Sequence, residues 1–205
     1  MPQYIQMFEL FQQQVSVSEC IGFVFGIAGV WLTIRQNILC FPIGIINVGI
    51  YSFIFFNSKL YSNAVLQLVY IALLIYGWIH WKSKTASDEF PVTNTNRSLG
   101  FVLLIFGVTA SILLGYLMKK TTDAPLPYWD ATTTSMSLIA QWMVARKKIE
   151  NWLLWIVADV IYVGMYVHQS LYLTAVLYFV FLILALKGYL EWKKDMSKKP
   201  LSASH

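Results

Sequence analysis

Seven apolar segments recur along this chain at bilayer length, roughly 18 to 35, 39 to 56, 60 to 81, 98 to 118, 129 to 145, 150 to 167 and 171 to 192. A helix needs about 20 mostly apolar residues to cross a hydrocarbon core, and lipid offers no partner to a bare N–H or C=O. Repeated segments of this length therefore constrain the chain to an all-α membrane protein with seven transmembrane helices. Composition agrees: of 205 residues 58% are hydrophobic and 12% charged, with a mean hydropathy of +0.59. A soluble domain carries about 25% charged residues. The connections Arg35 to Ile38 and Asn57 to Lys59 leave room only for antiparallel neighbours, whereas Lys82 to Arg97, KSKTASDEFPVTNTNR, reads as a surface loop.

The ends and the charges set the orientation. Residues 1 to 17, MPQYIQMFELFQQQVSV, carry no signal-peptide pattern, so this is expected to be the mature start. Tyr4, Ile5, Phe8, Phe11 and Val15 fall on one face of an interfacial helix. With seven spans, Arg35, Lys82, Lys84, Arg97, Arg146, Lys147, Lys148, Lys187, Lys193, Lys194, Lys198 and Lys199 share one side, against Lys59, Lys119 and Lys120 on the other. Twelve against three predicts a cytoplasmic C-terminus and an outer N-terminus. The net charge of +5 is then cytoplasmic anchoring and calls for no nucleic-acid partner, and KKDMSKKPLSASH at the end reads as a solvated tail. Cys20 and Cys40 have no CxxC or Cys/His grouping, so neither a disulfide nor a metal site is expected.

The chain also repeats itself. Sliding it by 111 residues without a gap pairs Trp31 with Trp142, Arg35 with Arg146, Tyr51 with Tyr162, Tyr61 with Tyr172, Gly77 with Gly188 and Trp81 with Trp192, and gives 16 identities in 52 positions from Trp31 to Lys82. Three spans per copy and one extra span between them make the copies parallel, a three-plus-one-plus-three plan. The division is an outer segment 1–17, a first repeat 18–81, a middle portion 82–128 holding the cytoplasmic loop, linker helix and outer loop, a second repeat 129–192, and a tail 193–205. Parallel repeats are one known transporter plan, with the substrate near the midplane where they meet.

One carboxylate interrupts the sixth span. Trp152, Trp155, Asp159, Tyr162 and Tyr166 follow at spacings of three, four, three and four and so share one helical stripe. A charge near a bilayer midplane costs about 3 kcal/mol on insertion scales, which makes Asp159 a functional residue by default, turned to the bundle interior. On the third span Asn63, Gln67, Tyr70, Trp78 and Trp81 share an arc, as do Asp130, Thr134, Ser137 and Gln141 on the fifth. At about 1.5 Å per residue Gln67, Gln141 and Asp159 reach similar depth. Taken singly, each such residue is more often helix-to-helix glue. The repeat correspondence is broken where they gather, since Asp159 pairs with Val48, Trp152 with Phe41 and Trp155 with Gly44, and one-sided polar groups on a doubled scaffold fit one asymmetric ligand. Aromatic faces, a carboxylate and amides suit a planar cationic ring with polar substituents, pyridinium and thiazolium alike. No Ser/His/Asp set, HExxH, GxxxxGK[ST] or GxGxxG is present, so no enzyme and no cofactor are expected. A channel would require a ring of carbonyls or charges. A non-transporting membrane scaffold is the alternative of another class, and it predicts that Asp159→Asn leaves solute uptake untouched.

ENWLLWIVADVIY followed by SLYLTAVLYFVFLILALKGYLEWKK, the upstream DATTTSMSLIAQWMVARKKIENW, and YxxxxLQxxYxxxxxYGWxxW from Tyr61 to Trp81 resemble the nicotinamide riboside transporter family, PnuC, over nearly the whole chain. The resemblance implies a bacterial inner-membrane vitamin transporter of SWEET-like fold, a homotrimer, moving its cargo by facilitated diffusion while a cytoplasmic kinase traps it by phosphorylation. It also implies that substrate contacts fall on Asn151, Trp152, Trp155 and Asp159, on Gln67, Tyr70 and Trp78, on Gln141, and secondarily on Asn47 and Tyr51. Ser62 and Asn63 follow Tyr61 where the family often shows a small residue and then Asp, which leaves thiamine or another nucleoside-like vitamin beside nicotinamide riboside as cargo. Two bundles rocking about a midplane site would equilibrate it passively; proton coupling through Asp159 is the mechanistic alternative.

Overall fold

A computed structural model describes residues 17–57, 61–85, 90–122, 125–170 and 172–198. Seven helices account for nearly all of them: α1 Val17–Ile34, α2 Cys40–Asn57, α3 Tyr61–Thr85, α4 Arg97–Thr121, α5 Pro127–Ala145, α6 Asn151–His168 and α7 Tyr172–Lys198. Each apolar segment read from the sequence is one helix. The expected interfacial face from Tyr4 to Val15, the connection at Ser58 and Lys59, and residues 199–205 lie outside the described residues. The seventh helix runs on to Lys198, so the first part of the expected tail is helical, and its Asp195 accepts a hydrogen bond from Gln36 at 2.9 Å.

Lipid-facing and buried chemistry are inverted relative to a water-soluble bundle. On α4 Phe101, Leu104, Ile105, Phe106, Val108, Ile112 and Leu113 are exposed, whereas α5 buries Thr133, Ser135 and Ser137. An apolar surface that wide is untenable in water and is what hydrocarbon accepts. Local signals frame the helices: the Asn96 side chain caps α4 by accepting from Leu99 N at 2.7 Å, Pro127 opens α5, and Lys119 and Lys120 end α4.

Six helices close a ring. Among the described residues α1 packs on α2, α2 on α3, α3 on α5, α5 on α6, α6 on α7, and α7 back on α1, while α4 touches only α5. Contacts recur at the separation seen in the sequence. Phe41 meets Trp81 edge-on at 5.0 Å and Trp152 meets Trp192 edge-on at 5.4 Å. The Trp81 indole donates to the Val144 carbonyl at 3.3 Å, and that of Trp192 to the Thr33 and Ile34 carbonyls at 3.3 and 3.2 Å. Left-handed backbone follows α1 at Gln36 (φ 52°) and follows α5 at Lys147 (φ 49°). Gly77 lies under the Phe41 ring and Gly188 under that of Trp152, where a Cβ would come within 2.6 Å of the indole. Glycine is needed there because the rings seat directly on the helix backbone.

The loop expected at the surface between Lys82 and Arg97 does more than connect. Its second half crosses the α5–α6 connection: Thr93 N donates to the Lys147 carbonyl at 3.0 Å and Thr93 O accepts from Ile149 N at 3.1 Å. Lys148 Nζ reaches Thr93 Oγ1 and the Asn94 carbonyl, at 2.9 and 3.0 Å. The Glu150 carboxylate accepts from Thr95 N and Thr95 Oγ1, at 2.9 and 2.8 Å. Side chains of the ARKKIE segment thus tie this strap across the end of the ring.

Candidate functional site

The ring of helices encloses a cavity of about 1440 Å³. Its wall is built from helix faces that the sequence made polar or small: Asn47 and Tyr51 of α2, Gln67 and Tyr70 of α3, Ser137 and Gln141 of α5, and Trp152, Trp155, Asp159, Tyr162 and Tyr166 of α6. All five residues of the α6 stripe therefore face one space, as helical periodicity requires. At the Lys147 end the floor is Phe41 and Trp152, with Trp81 and Trp192 fully buried behind them. At the opposite end the lining reaches the exposed Tyr172.

Of the ten residues expected to touch substrate, Asn47, Tyr51, Gln67, Tyr70, Gln141, Trp152, Trp155 and Asp159 line this cavity. Two lie elsewhere. Trp78 is 39% exposed on the outer face of α3 below the floor, one residue past Gly77, because the turn that seats Gly77 against Phe41 rotates its neighbour away from the ring interior. Asn151 is fully buried in the first turn of α6, where its amide donates to the Lys148 carbonyl, a link within the connection rather than on the wall. The wider arcs divide in the same way: Ser137 and Gln141 line the cavity, Asp130 and Thr134 do not. The Asn63 side chain lies outside the described residues.

Several buried polar groups on the wall have no protein partner among the described residues. Asp159 is 4% exposed and makes no hydrogen bond or ion pair among the described residues. Asn47 Oδ1 and Trp152 Nε1 are buried without a hydrogen-bond partner. The Ser137 hydroxyl faces those of Tyr70 and Tyr162 but completes no hydrogen bond with them. Away from the wall Thr132 and Thr133 donate to carbonyls one turn back, while Ser135 Oγ and Asn151 Oδ1 are buried without a partner among the described residues. An acid on the wall, and an amide oxygen and an indole N–H buried in residues that line the same cavity, are left without partners where buried polar groups are normally paired.

Toward the Tyr172 end stands a tyrosine cluster that the expected site did not include. Tyr162 and Tyr166 stack at 6.0 Å, and Tyr178 of α7 lies 4.5 Å from the first and 5.2 Å from the second, with Phe181 edge-on to it. A signal for Tyr178 and Phe181 existed: they stand 111 residues after Gln67 and Tyr70, so projecting the third-span face through the repeat marks both. The same projection joins Phe41 to Trp152 and Gly44 to Trp155 across the cavity.

Comparison with known proteins decides the family. A profile for the nicotinamide mononucleotide transporter family matches residues 16–194. The chain belongs to that family. Members similar to it include the nicotinamide riboside transporter PnuC of Escherichia coli, 26% identical over 200 residues that cover 85% of this chain and 84% of that one. A riboflavin/roseoflavin transporter, RibM, from Streptomyces davaonensis is 22% identical over 191 residues, covering 91% and 89%. The PnuC of Neisseria mucosa is 26% identical over 189 residues, covering 85% and 71%. In three dimensions a crystal structure of the vitamin B3 transporter PnuC superposes with a TM-score of 0.71 at 20% identity, over 96% of this chain and 88% of that one. The family is one of membrane transporters, and the fold is shared with that structure over nearly the whole chain.

Proposed function

We propose that this chain carries nicotinamide riboside across the bacterial inner membrane by facilitated diffusion. The observation that carries the reading is Asp159, a carboxylate with no partner among the described residues, on a cavity wall that also presents Trp155 and Tyr162. Such a group is stabilised by a cation that stacks, and the pyridinium of nicotinamide riboside does both. The similar proteins divide between nicotinamide riboside and riboflavin as named cargo. Isoalloxazine is neutral and leaves Asp159 without a counter-ion, so the charge favours the pyridinium. Thiamine, a thiazolium, satisfies the same acid and is the alternative cargo, while Asn47, Gln67 and Gln141 supply the amide contacts that a ribose can use.

The working architecture is SWEET-like, two parallel three-helix repeats, α1–α3 and α5–α7, joined by α4. It is supported by the contacts that recur 111 residues apart and by the ring order in which α3 on α5 mirrors α7 on α1. The charge bias of the loops puts Arg35, Arg146 and the C-terminus in the cytoplasm and the N-terminus outside. The floor of Phe41 and Trp152 is then the cytoplasmic gate. Rocking of one repeat against the other exposes the site to each side in turn, and phosphorylation of the vitamin by a cytoplasmic kinase keeps the flow inward. Assembly as a homotrimer is consistent with the broad apolar face of α4.

Proteoliposomes test this directly. Labelled nicotinamide riboside should enter until inside and outside concentrations match, with neither a proton nor a sodium gradient, and excess unlabelled compound should block entry. Strict dependence on a proton gradient would replace the uniport with the coupled alternative. Absence of saturable entry under every condition would remove the cargo assignment.

A further inference from the structure

The cavity is larger than one flat cation needs, and its aromatic surfaces fall at separate depths. Pockets for drug-sized ligands measure about 300–1,000 Å³, whereas this one holds about 1440 Å³. Tyr51, Tyr162 and Tyr178 each stand six residues from the end of their helix nearest Tyr172, so the three share one level about 9 Å in. Tyr166 is one turn further out. Eleven residues of α6 separate Tyr166 from Trp155, an axial distance of about 16 Å. Asp159 lies between them, about 6 Å along the axis from Trp155 and about 10 Å from Tyr166. A single ring stacked on Trp155 therefore leaves the tyrosine level open.

That level is built from rings held against one another and against backbone. Tyr162, Tyr166 and Tyr178 lie within 4.5 to 6.0 Å of each other, with Phe181 edge-on to Tyr178 at 5.9 Å. All three tyrosines line the cavity and none is buried, so ring surface remains for a solute. Glycine makes room opposite: a Cβ at Gly22 would come within 2.8 Å of the Tyr51 ring, and one at Gly26 within 3.2 Å of that of Phe181. The Asp130 carboxyl is an electrostatic neighbour of the Tyr162 and Tyr166 phenols, which adds negative potential behind them. Stacked phenols accept one more flat ring on an open face, and their faces attract a cation. We propose that Tyr162, Tyr166 and Tyr178 form a second binding station for a planar cation, on the Tyr172 side of Asp159 and distinct from the station at Trp155. The inner station fills first, because only there does the cation meet a carboxylate directly. This rests on the reading of the cavity as a site for such a cation.

Titration calorimetry of the purified full chain tests it, with nicotinamide riboside and, separately, with N-methylpyridinium, a flat cation that has no ribose. The riboside should give two binding events, the second roughly 30-fold weaker, the factor that direct contact with a charged group controls. Tyr178→Leu and Tyr166→Leu should each weaken the second event about fivefold or more and leave the first within about twofold. Tyr178→Phe keeps the ring and should keep both events. The first event, read in the same titration, reports that each variant is folded, and a role in packing alone would move both events together. A single event that none of these substitutions changes, or equal loss of both events in Tyr178→Leu and Tyr166→Leu, overturns the proposal. The second compound separates the two readings. If the riboside does not bind while N-methylpyridinium binds in a way that Tyr178→Leu weakens, the cargo assignment fails and the station stands. If the riboside binds once, with the same affinity in every variant, the cargo assignment stands and the station falls.

Discussion

Replacing Asp159 with Asn changes one charge in a cavity and little else, so its consequences can be worked through. The carboxylate is 4% exposed and has no ion pair among the described residues, and it stands one helical turn from Trp155 on the same wall, so a pyridinium stacked there would lie beside it. Two unit charges about 4 Å apart attract by about 4 kcal/mol at an effective dielectric of about 20. Roughly half of that is offset by stripping water from both groups, which leaves about 2 kcal/mol, the scale of hydrogen bonds to charged groups. Nicotinamide riboside should therefore bind Asp159→Asn about 30-fold more weakly. The reduced, dihydropyridine riboside has nearly the same shape and no charge, and its affinity should change less than about threefold by the same arithmetic. The unliganded variant should melt at the same or a higher temperature, because an unpaired intramembrane carboxylate is costly. Titration calorimetry of both compounds against both proteins, with melting of each, provides the comparison. An equal loss for the charged and the neutral compound would refute the electrostatic argument, and so would unchanged affinity for the cation.

Further outcomes follow from single contacts. Trp155→Ala should weaken binding by a stacking contribution of about 1 kcal/mol or more, roughly fivefold or greater, while Trp155→Phe keeps most of it; calorimetry decides, and equal losses would return the ring to a packing role. Gly188→Ala forces a Cβ within 2.6 Å of the Trp152 indole and should cost about 1–3 kcal/mol of stability by melting in detergent. Gly164→Ala, where a Cβ meets nothing within 4 Å, should be neutral or mildly stabilising in the same assay, and a similar loss at both positions would show that the indole contact is not the cause. Glu150→Gln leaves one of the two Thr95 donors without its acceptor and should lower stability by about 1 kcal/mol, read as a reduced melting temperature; no change would show that the strap is held elsewhere.

What the sequence announced and what it withheld have physical causes. Helix positions were legible because long apolar runs leave the backbone no partner but itself, so the seven segments and the seven helices agree to within a few residues at most ends. The exception is α7, whose last turns continue as a charged helix to Lys198 and take Asp195 to Gln36, a contact 159 residues apart that no local pattern signals. The α6 stripe was legible because helical periodicity alone puts Trp152, Trp155, Asp159, Tyr162 and Tyr166 on one side, and all five line the cavity. Trp78 was misleading: it shares an arc with Gln67 on a helical wheel, but a wheel ignores depth, and at its depth the ring interior is already filled by Phe41 and Trp81. Asn151 misled for a related reason, since the first turn of a helix uses polar side chains to satisfy the preceding loop. The strap was invisible because Thr93 and Thr95 are ordinary loop residues until the fold brings ARKKIE beneath them.

The account stands on the claim that Asp159 and the rings beside it enclose a flat cation. A crystal structure of the protein with nicotinamide riboside would test this most directly. The account predicts density for the pyridinium inside the ring of helices, its face on Trp155 and its charge beside Asp159, with the ribose toward Asn47 and the amides of Gln67 and Gln141. Density for the vitamin anywhere outside that cavity, or within it but with the ring turned away from both Asp159 and Trp155, would contradict it.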